Sequence, residues 1–353
     1  MATFISALAR CTSSKANFHR VLVFTREKQL RVECWPCGTE VFFCPMWFQV
    51  ASMPVGPAYL KKFWQLLDWA DVLHFHYPFP LQDLIYLGAR LIRKMPPAVV
   101  TYHSDIIRQR WFRHFYFPMA KCFLKTVEYV VATSPQYLST SHMLQHIDAV
   151  EIIPLGISEA HYPSVSEERQ RYYERRIGKG FFLFLGALRY YKGLDWLVDA
   201  ARLTGLPVVI AGGGQMSNNL AERARGVSNL YLLGEVDEVD KIALLSLAKA
   251  FVFPSHLRSE AFGISLLEAQ MMNLPLITCE IGTGTSYVNR HKVTGLVVPP
   301  EDATAIGEAM VFLASNSDVC KSMGAAAYAR YKAMFTAEQM SERYLGLYSR
   351  AFC

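Results

Sequence analysis

Short apolar runs recur along this chain, each closed by polar or turn-forming residues and followed by a stretch whose apolar positions fall three and four apart. In the first half the runs lie at 21–24, 41–43, 72–75, 98–101, 129–132 and 151–154. In the second they lie at 181–185, 207–211, 229–233, 250–253, 276–279 and 295–298, separated by helical spacing at 192–204, 237–249, 263–273 and 302–315. Runs of four or five apolar residues without alternation read as strands buried on both faces. Strands alternating with helices then mean parallel sheets of the α/β class. Two such sets in succession predict two doubly wound domains facing each other across a cleft. The expected bounds are 1–160 and 177–330, with the charge-rich stretch from Ser164 to Arg176 near the join. Residues 331–353 carry Tyr331, Phe335, Met340, Tyr344 and Tyr348 at helical spacing, so the chain should end in a helix that packs back on the first domain.

The most informative chemistry sits in nine residues, Glu260-Ala261-Phe262-Gly263-Ile264-Ser265-Leu266-Leu267-Glu268. They follow the run 250–253 with Pro254 and Ser255, which puts Glu260 in a loop, Gly263 at a helix mouth and Glu268 about a turn inside. A helix N-terminus offers free N–H groups and roughly half a positive charge, which suits a phosphate. An ionised carboxylate only accepts hydrogen bonds, which suits sugar hydroxyls. Sugar plus diphosphate points to a nucleotide sugar; an ordinary βα turn with a capping acid fits the same residues. In the first half, His103 stands at the C-terminal end of the run 98–101, where α/β folds hold ligands. His74, His76 and His114 read as structural. Ala211-Gly212-Gly213-Gly214 ends another run, where small residues admit a ligand or simply make a turn.

Composition narrows the class. A hydrophobic content of 52% and an aromatic content of 13% fill a core and exclude a disordered chain. No apolar run reaches the length of a spanning helix, and residues 1–9 lack the basic start of a signal peptide, so a cytoplasmic location is expected. Eight cysteines are scattered, and the lone Cys34-Trp35-Pro36-Cys37 has no second pair for a zinc site, so structural thiols are expected. Residues 1–150 hold 16 Lys+Arg against 9 Asp+Glu, whereas the remainder is close to neutral. A basic half favours an anionic partner, and no nucleic-acid motif accompanies it. Between Arg108 and Lys125, the cations Arg110, Arg113 and Lys121 interleave with Trp111, Phe112, Phe115, Tyr116 and Phe117. That pattern suits a bilayer interface or a half-buried helix with a basic face.

Glu260 and Glu268, Phe253-Pro254-Ser255, Ile153-Pro154-Leu155-Gly156 and Gly186-Ala187-Leu188-Arg189-Tyr190-Tyr191-Lys192-Gly193 resemble the retaining GT-B glycosyltransferases of family 4. Tyr102-His103-Ser104-Asp105 and the run from Ile281 to Val288 are similar to bacterial members that add mannose-like sugars to lipid-linked polysaccharide such as O-antigen. The resemblance implies a Rossmann-like acceptor domain, then a Rossmann-like nucleotide-sugar domain, and no catalytic metal or resident cofactor. It implies that Lys192 and Arg189 grip the donor diphosphate, although the arginine usual directly after the first glycine is Ala187. Glu260 and His103 would meet the transferred sugar, and Glu268 the ribose. Gly263 and Ile264 would offer backbone N–H groups, with Gly282, Thr283 and Gly213 lining the donor and Asp105 on the acceptor side. An acid is often found where Ser286 stands.

The implied donor is GDP-mannose, the acceptor a lipid-linked saccharide, and the location the inner face of the inner membrane. Family members open with a strand and a glycine-rich acceptor loop, whereas residues 1–10 read as a helix. The first sheet is therefore expected to lack its central strand, with upstream coding sequence supplying it or with 21–24 moving into the gap. Two other functions fit the carboxylates or the missing strand: a glycoside hydrolase using Glu260 and Glu268, and a non-catalytic partner subunit.

Overall fold

The computed structural model describes residues 2–14, 17–50, 53–105 and 110–353, without the side chains of 2, 3 and 110–115. Arg108, His114 and much of the basic aromatic stretch therefore lie outside the described side chains. The chain forms two units: Met1–Thr133 with Ser141–Pro154 and Ala337–Cys353, and Ser134–Thr140 with Leu155–Thr336.

Among the described residues the first unit carries nine strands: β1 Arg20–Thr25, β2 Arg31–Cys34, β3 Glu40–Pro45, β4 Phe48–Val50, β5 Met53–Val55, β6 Leu73–Tyr77, β7 Ala98–Tyr102, β8 Tyr129–Ala132 and β9 Val150–Ile152. They make no single sheet. One sheet runs β1-β3-β2, another β6-β7-β8-β9, and β4 and β5 form a hairpin of their own. The second of these is parallel throughout, as expected for strands buried on both faces. β1 and β6 each end their sheet. Between them lies a cavity of about 420 Å³, lined by Val21 and Leu22 of β1, Leu73 and Phe75 of β6, and Leu8 and Phe63 from flanking helices. Among the described residues β1 and β6 are not paired with each other. β1 does not move across the gap; it stays paired with β3.

The expected C-terminal helix is two helices. Ser317–Met334 ends because Thr336 bridges Ile157 in strand fashion and the Phe335 carbonyl accepts the Ile157 N–H, pairings a continuous helix would forbid. The last helix, Ala337–Phe352, packs within the first unit. There the Tyr344 hydroxyl lies 2.7 Å from Thr101 Oγ1, and that of Tyr348 lies 2.7 Å from His74 Nδ1.

The second unit is a parallel six-stranded sheet made of β10 Phe182–Leu185, β11 Val208–Ala211, β12 Leu230–Gly234, β13 Ala250–Phe253, β14 Leu276–Cys279 and β15 Gly295–Val298. Its order, β12-β11-β10-β13-β14-β15, reverses direction between β10 and β13. At such a switch point the loops leaving two adjacent strands diverge and open a crevice. The charge-rich stretch after Ser164 is no open link. Ser166 caps a helix, Glu167–Ile177, by accepting the Arg169 N–H, and the Arg169 guanidinium grips Asp240 with both arms. Among the described residues, no helix is long and apolar enough to cross a membrane.

Candidate donor site and the histidine row

The loops after β10 and β13 meet at the switch point because glycine lets them. Gly193 has φ +67°, and a Cβ there would lie 2.0 Å from the Pro254 carbonyl oxygen. The close approach carries Lys192 onto the following loop. Its ammonium sits 2.5 Å from Glu260 Oε2 and 4.3 Å from the centre of the Phe253 ring. Both charged side chains are buried, with 8% of each residue exposed. A buried ion pair is dear to desolvate and is held here by an aromatic face on one side and the Ser255 hydroxyl, 3.5 Å from Glu260 Oε2, on the other.

Gly263 opens the helix Ile264–Met271 at φ +89°, and a Cβ there would come within 2.8 Å of the Phe253 ring. No side chain caps this helix, so its first N–H groups are available to an anion. A third loop closes on the same place. The Gly284 N–H bonds the Ala261 carbonyl at 2.8 Å, beside Glu260. Gly282, with φ +65°, is fixed from both ends: its N–H donates to Glu280 and its carbonyl accepts from Thr140 and Arg258. Thr283 is buried behind it. Glu280 also accepts from Ser286 at 3.0 Å, so an acid does stand in this loop, ahead of the serine rather than at it.

Glu268 is the second buried carboxylate. Its Oε1 accepts from Lys241 at 2.8 Å and from the Tyr162 hydroxyl at 3.0 Å. Gly213 faces Glu235, whose Oε1 would lie 2.4 Å from a Cβ added at that position. Arg189 does not join the buried pair; it is exposed on the loop ahead of Lys192. Lys241, Tyr162, Glu280 and Glu235 escaped the sequence reading. None carries a local motif, and Tyr162 lies 106 positions from the carboxylate it touches.

In the first unit, His103 follows β7, its N–H bonded to the Tyr77 carbonyl. Its Nε2 lies 3.1 Å from His76 Nδ1, and the Phe4 ring packs edge-on at 5.1 Å. Burial holds its imidazole down at about 3, so it is neutral at physiological pH and can exchange hydrogen bonds without carrying charge. His74 is held at about 3 and His76 is also depressed, in each case by burial first. The unfolded chain takes up protons at these positions below about pH 6.5, which the folded chain refuses, so this row stabilises less as pH falls. His76 faces His103, and Asp105 Oδ1 accepts from the Tyr102 and Ser141 hydroxyls at 2.8 and 2.7 Å. Among the described residues no group of His, Cys, Asp and Glu is arranged to hold a metal ion.

Comparison with known proteins follows the same division. Residues 1–161 match the model of Glycosyltransferase Family 4, and residues 166–330 that of Glycosyl transferases group 1. The chain is 43% identical over 315 residues to O-antigen chain mannosyltransferase C of Escherichia coli, covering 88% of this chain and 83% of that one. It is 46% identical over 292 residues to D-rhamnosyltransferase WbpZ of Pseudomonas aeruginosa, covering 82% and 76%. Among solved structures, sucrose-phosphate synthase from Thermosynechococcus elongatus superposes with a TM-score of 0.81 at 20% identity, over 99% of this chain and 93% of that one. That likeness concerns the fold, which is GT-B with two Rossmann-like domains.

The meeting of the two loops at Gly193 sets a stability test. A methyl group there must displace the Pro254 carbonyl and hold a left-handed backbone, so Gly193→Ala should cost about 2–4 kcal/mol. The readout is the denaturant midpoint, with Gly205→Ala, which meets nothing within 4 Å at the same φ, as the control for backbone strain alone. Equal losses in the two variants would mean that the close approach is not what fixes Lys192.

Proposed function

The chain belongs to the glycosyltransferases of group 1 and family 4, and from that premise we propose that it moves a mannose-type hexose from a nucleoside diphosphate to a lipid-linked saccharide of the O-antigen kind. The observation that carries this reading is the buried Lys192–Glu260 pair beside an uncapped helix mouth. A diphosphate entering there meets a cation and free N–H groups, and its sugar meets a carboxylate. The two relatives are named for mannosyl and D-rhamnosyl transfer, and D-rhamnose is mannose without its C6 hydroxyl. GDP-mannose is therefore the first donor, and its 6-deoxy counterpart the nearest competitor.

In the proposed reaction the bond from the sugar C1 to the β-phosphate oxygen breaks, and the acceptor hydroxyl attacks C1 from the same face. Its proton passes to the departing phosphate, so the anomeric configuration is retained and no metal is needed. Negative charge grows on that phosphate as the bond lengthens, and a fixed ammonium there is worth roughly 2–4 kcal/mol. Lys192 supplies it, with Arg189 at the loop edge and the N–H groups of Gly263 and Ile264. Gly282, Thr283 and Gly213 line the donor. Glu268 receives the ribose hydroxyls. Neutral His103 bonds the sugar, and Asp105 lies on the acceptor side.

Membrane contact is the second part of the proposal. Leu91 and Ile92 are 89% and 77% exposed just past the helix Pro80–Arg90, next to Arg90, Arg93 and Lys94. Apolar side chains among cations suit the surface of an anionic bilayer. Flotation with phosphatidylglycerol vesicles should recover the protein, and Leu91→Glu with Ile92→Glu should cut recovery at least fivefold. Equal recovery with neutral phosphatidylcholine vesicles, or undiminished recovery of the double variant, would remove this patch.

The donor is tested by thermal shift with GDP, UDP and ADP. A ligand at 100 times its dissociation constant stabilises by about 2.7 kcal/mol. GDP should give the largest shift; a larger shift with UDP or ADP overturns the choice of base, and no shift with any overturns the nucleotide-sugar reading. Lys192→Ala should lower turnover about a hundredfold and weaken nucleotide binding. Glu268→Ala should mainly weaken binding, and Glu260→Ala mainly the rate. Free sugar released without acceptor, indifferent to nucleotide, would instead favour a hydrolase.

A further inference from the structure

Glu268 is not a free carboxylate. Two donors from distant parts of the second unit converge on one of its oxygens. The Tyr162 hydroxyl, at the end of the 3-10 turn Glu159–His161, lies 3.0 Å from Oε1, and Lys241 Nζ lies 2.8 Å from the same atom. The three groups are also packed on one another, with the ammonium 5.1 Å from the centre of the Tyr162 ring. Lys241 is held from its other side by Glu238 Oε2 at 2.7 Å. Both described donors reach Oε1, and 10% of the Glu268 side chain remains exposed.

We propose that Tyr162 and Lys241 are positioning residues that set the selectivity of this site for a ribose diol, acting through Glu268. The inference rests on the reading of Glu268 as the ribose acceptor. Two fixed donors on Oε1 stop the carboxylate from rotating, so the lone pairs of Oε2 keep one direction. A vicinal diol needs that, because both hydroxyls must find an acceptor at once. Lys241 has a second effect. A bare carboxylate would repel a diphosphate bound at the same helix, and the adjacent ammonium offsets that charge.

The protonation states agree with the geometry. Burial first, and then the charge of Glu268, push the Tyr162 phenol up, so it remains a donor. Burial lowers Lys241, but the carboxylates of Glu268 and Glu238 more than offset it, so it remains a cation.

The test is the ratio of dissociation constants for 2′-deoxyGDP and GDP, measured by calorimetry on the full chain. The wild type should favour GDP tenfold or more. Tyr162→Phe and Lys241→Gln should each reduce the ratio at least threefold, and Lys241→Arg should restore most of it. A role in folding alone would weaken both ligands equally and leave the ratio unchanged, which overturns the proposal. If Tyr162→Phe does not fold, the Lys241 pair of variants carries the same comparison. A wild-type ratio near one, or a high ratio that survives Glu268→Gln, would overturn the reading of Glu268 itself. A high ratio lost in Glu268→Gln but kept in the Tyr162 and Lys241 variants would overturn only the positioning roles.

Discussion

Much of the second unit is arranged around one contact, the approach of the Gly193 backbone to the Pro254 carbonyl at the point where the sheet changes direction. A side chain larger than hydrogen at that position would hold the two loops apart. With them together, Lys192 is driven onto Glu260 and both are removed from water. Burying such a pair gains little stability, because desolvation offsets most of the attraction. What it provides is a cation and a carboxylate held in fixed relation before any ligand arrives. On the proposed reading, an arriving diphosphate would compete with Glu260 for Lys192 and free Glu260 to turn toward the sugar.

The same device is used twice on one helix. Glu260 precedes the helix Ile264–Met271 and pairs with Lys192; Glu268 lies within it and pairs with Lys241. Each carboxylate keeps one oxygen on its partner, which would limit the negative charge presented to a phosphate and fix the direction of the other oxygen. Glycines at 193, 263 and 284 permit this density of backbone, since a Cβ at any of them would come within 3.0 Å of a neighbouring atom.

Most strands of the second unit were legible because they are buried on both faces: the runs 250–253 and 276–279 coincide with β13 and β14. Buried strands need no partner's sequence to declare them. The first unit was read less fully. β2 and β4 are short and mostly exposed, so they form no buried apolar run and their pairing is set by neighbours. The pair Phe335 and Thr336 continued a helical pattern that the backbone pairing with Ile157 overrides. In the candidate site, Glu260, Gly263 and Lys192 could be found because each belongs to a strand-loop-helix unit with its own chemistry. Tyr162, Lys241 and Glu280 could not, since their roles arise only when distant segments are folded together. His103 was singled out from its motif, but its partner, His76, looked like any structural histidine until the strands were side by side.

The competition between Glu260 and an incoming diphosphate for Lys192 is the point on which this account stands or falls. Calorimetric titration of GDP into the wild type, Lys192→Met, Glu260→Gln and the double variant measures it directly, because the cycle isolates the coupling between the two side chains. The account predicts that Glu260→Gln binds GDP several times more tightly than the wild type, that Lys192→Met binds it at least ten times more weakly, and that the double variant matches Lys192→Met. Weaker binding by Glu260→Gln, to the same degree as Lys192→Met, would contradict it.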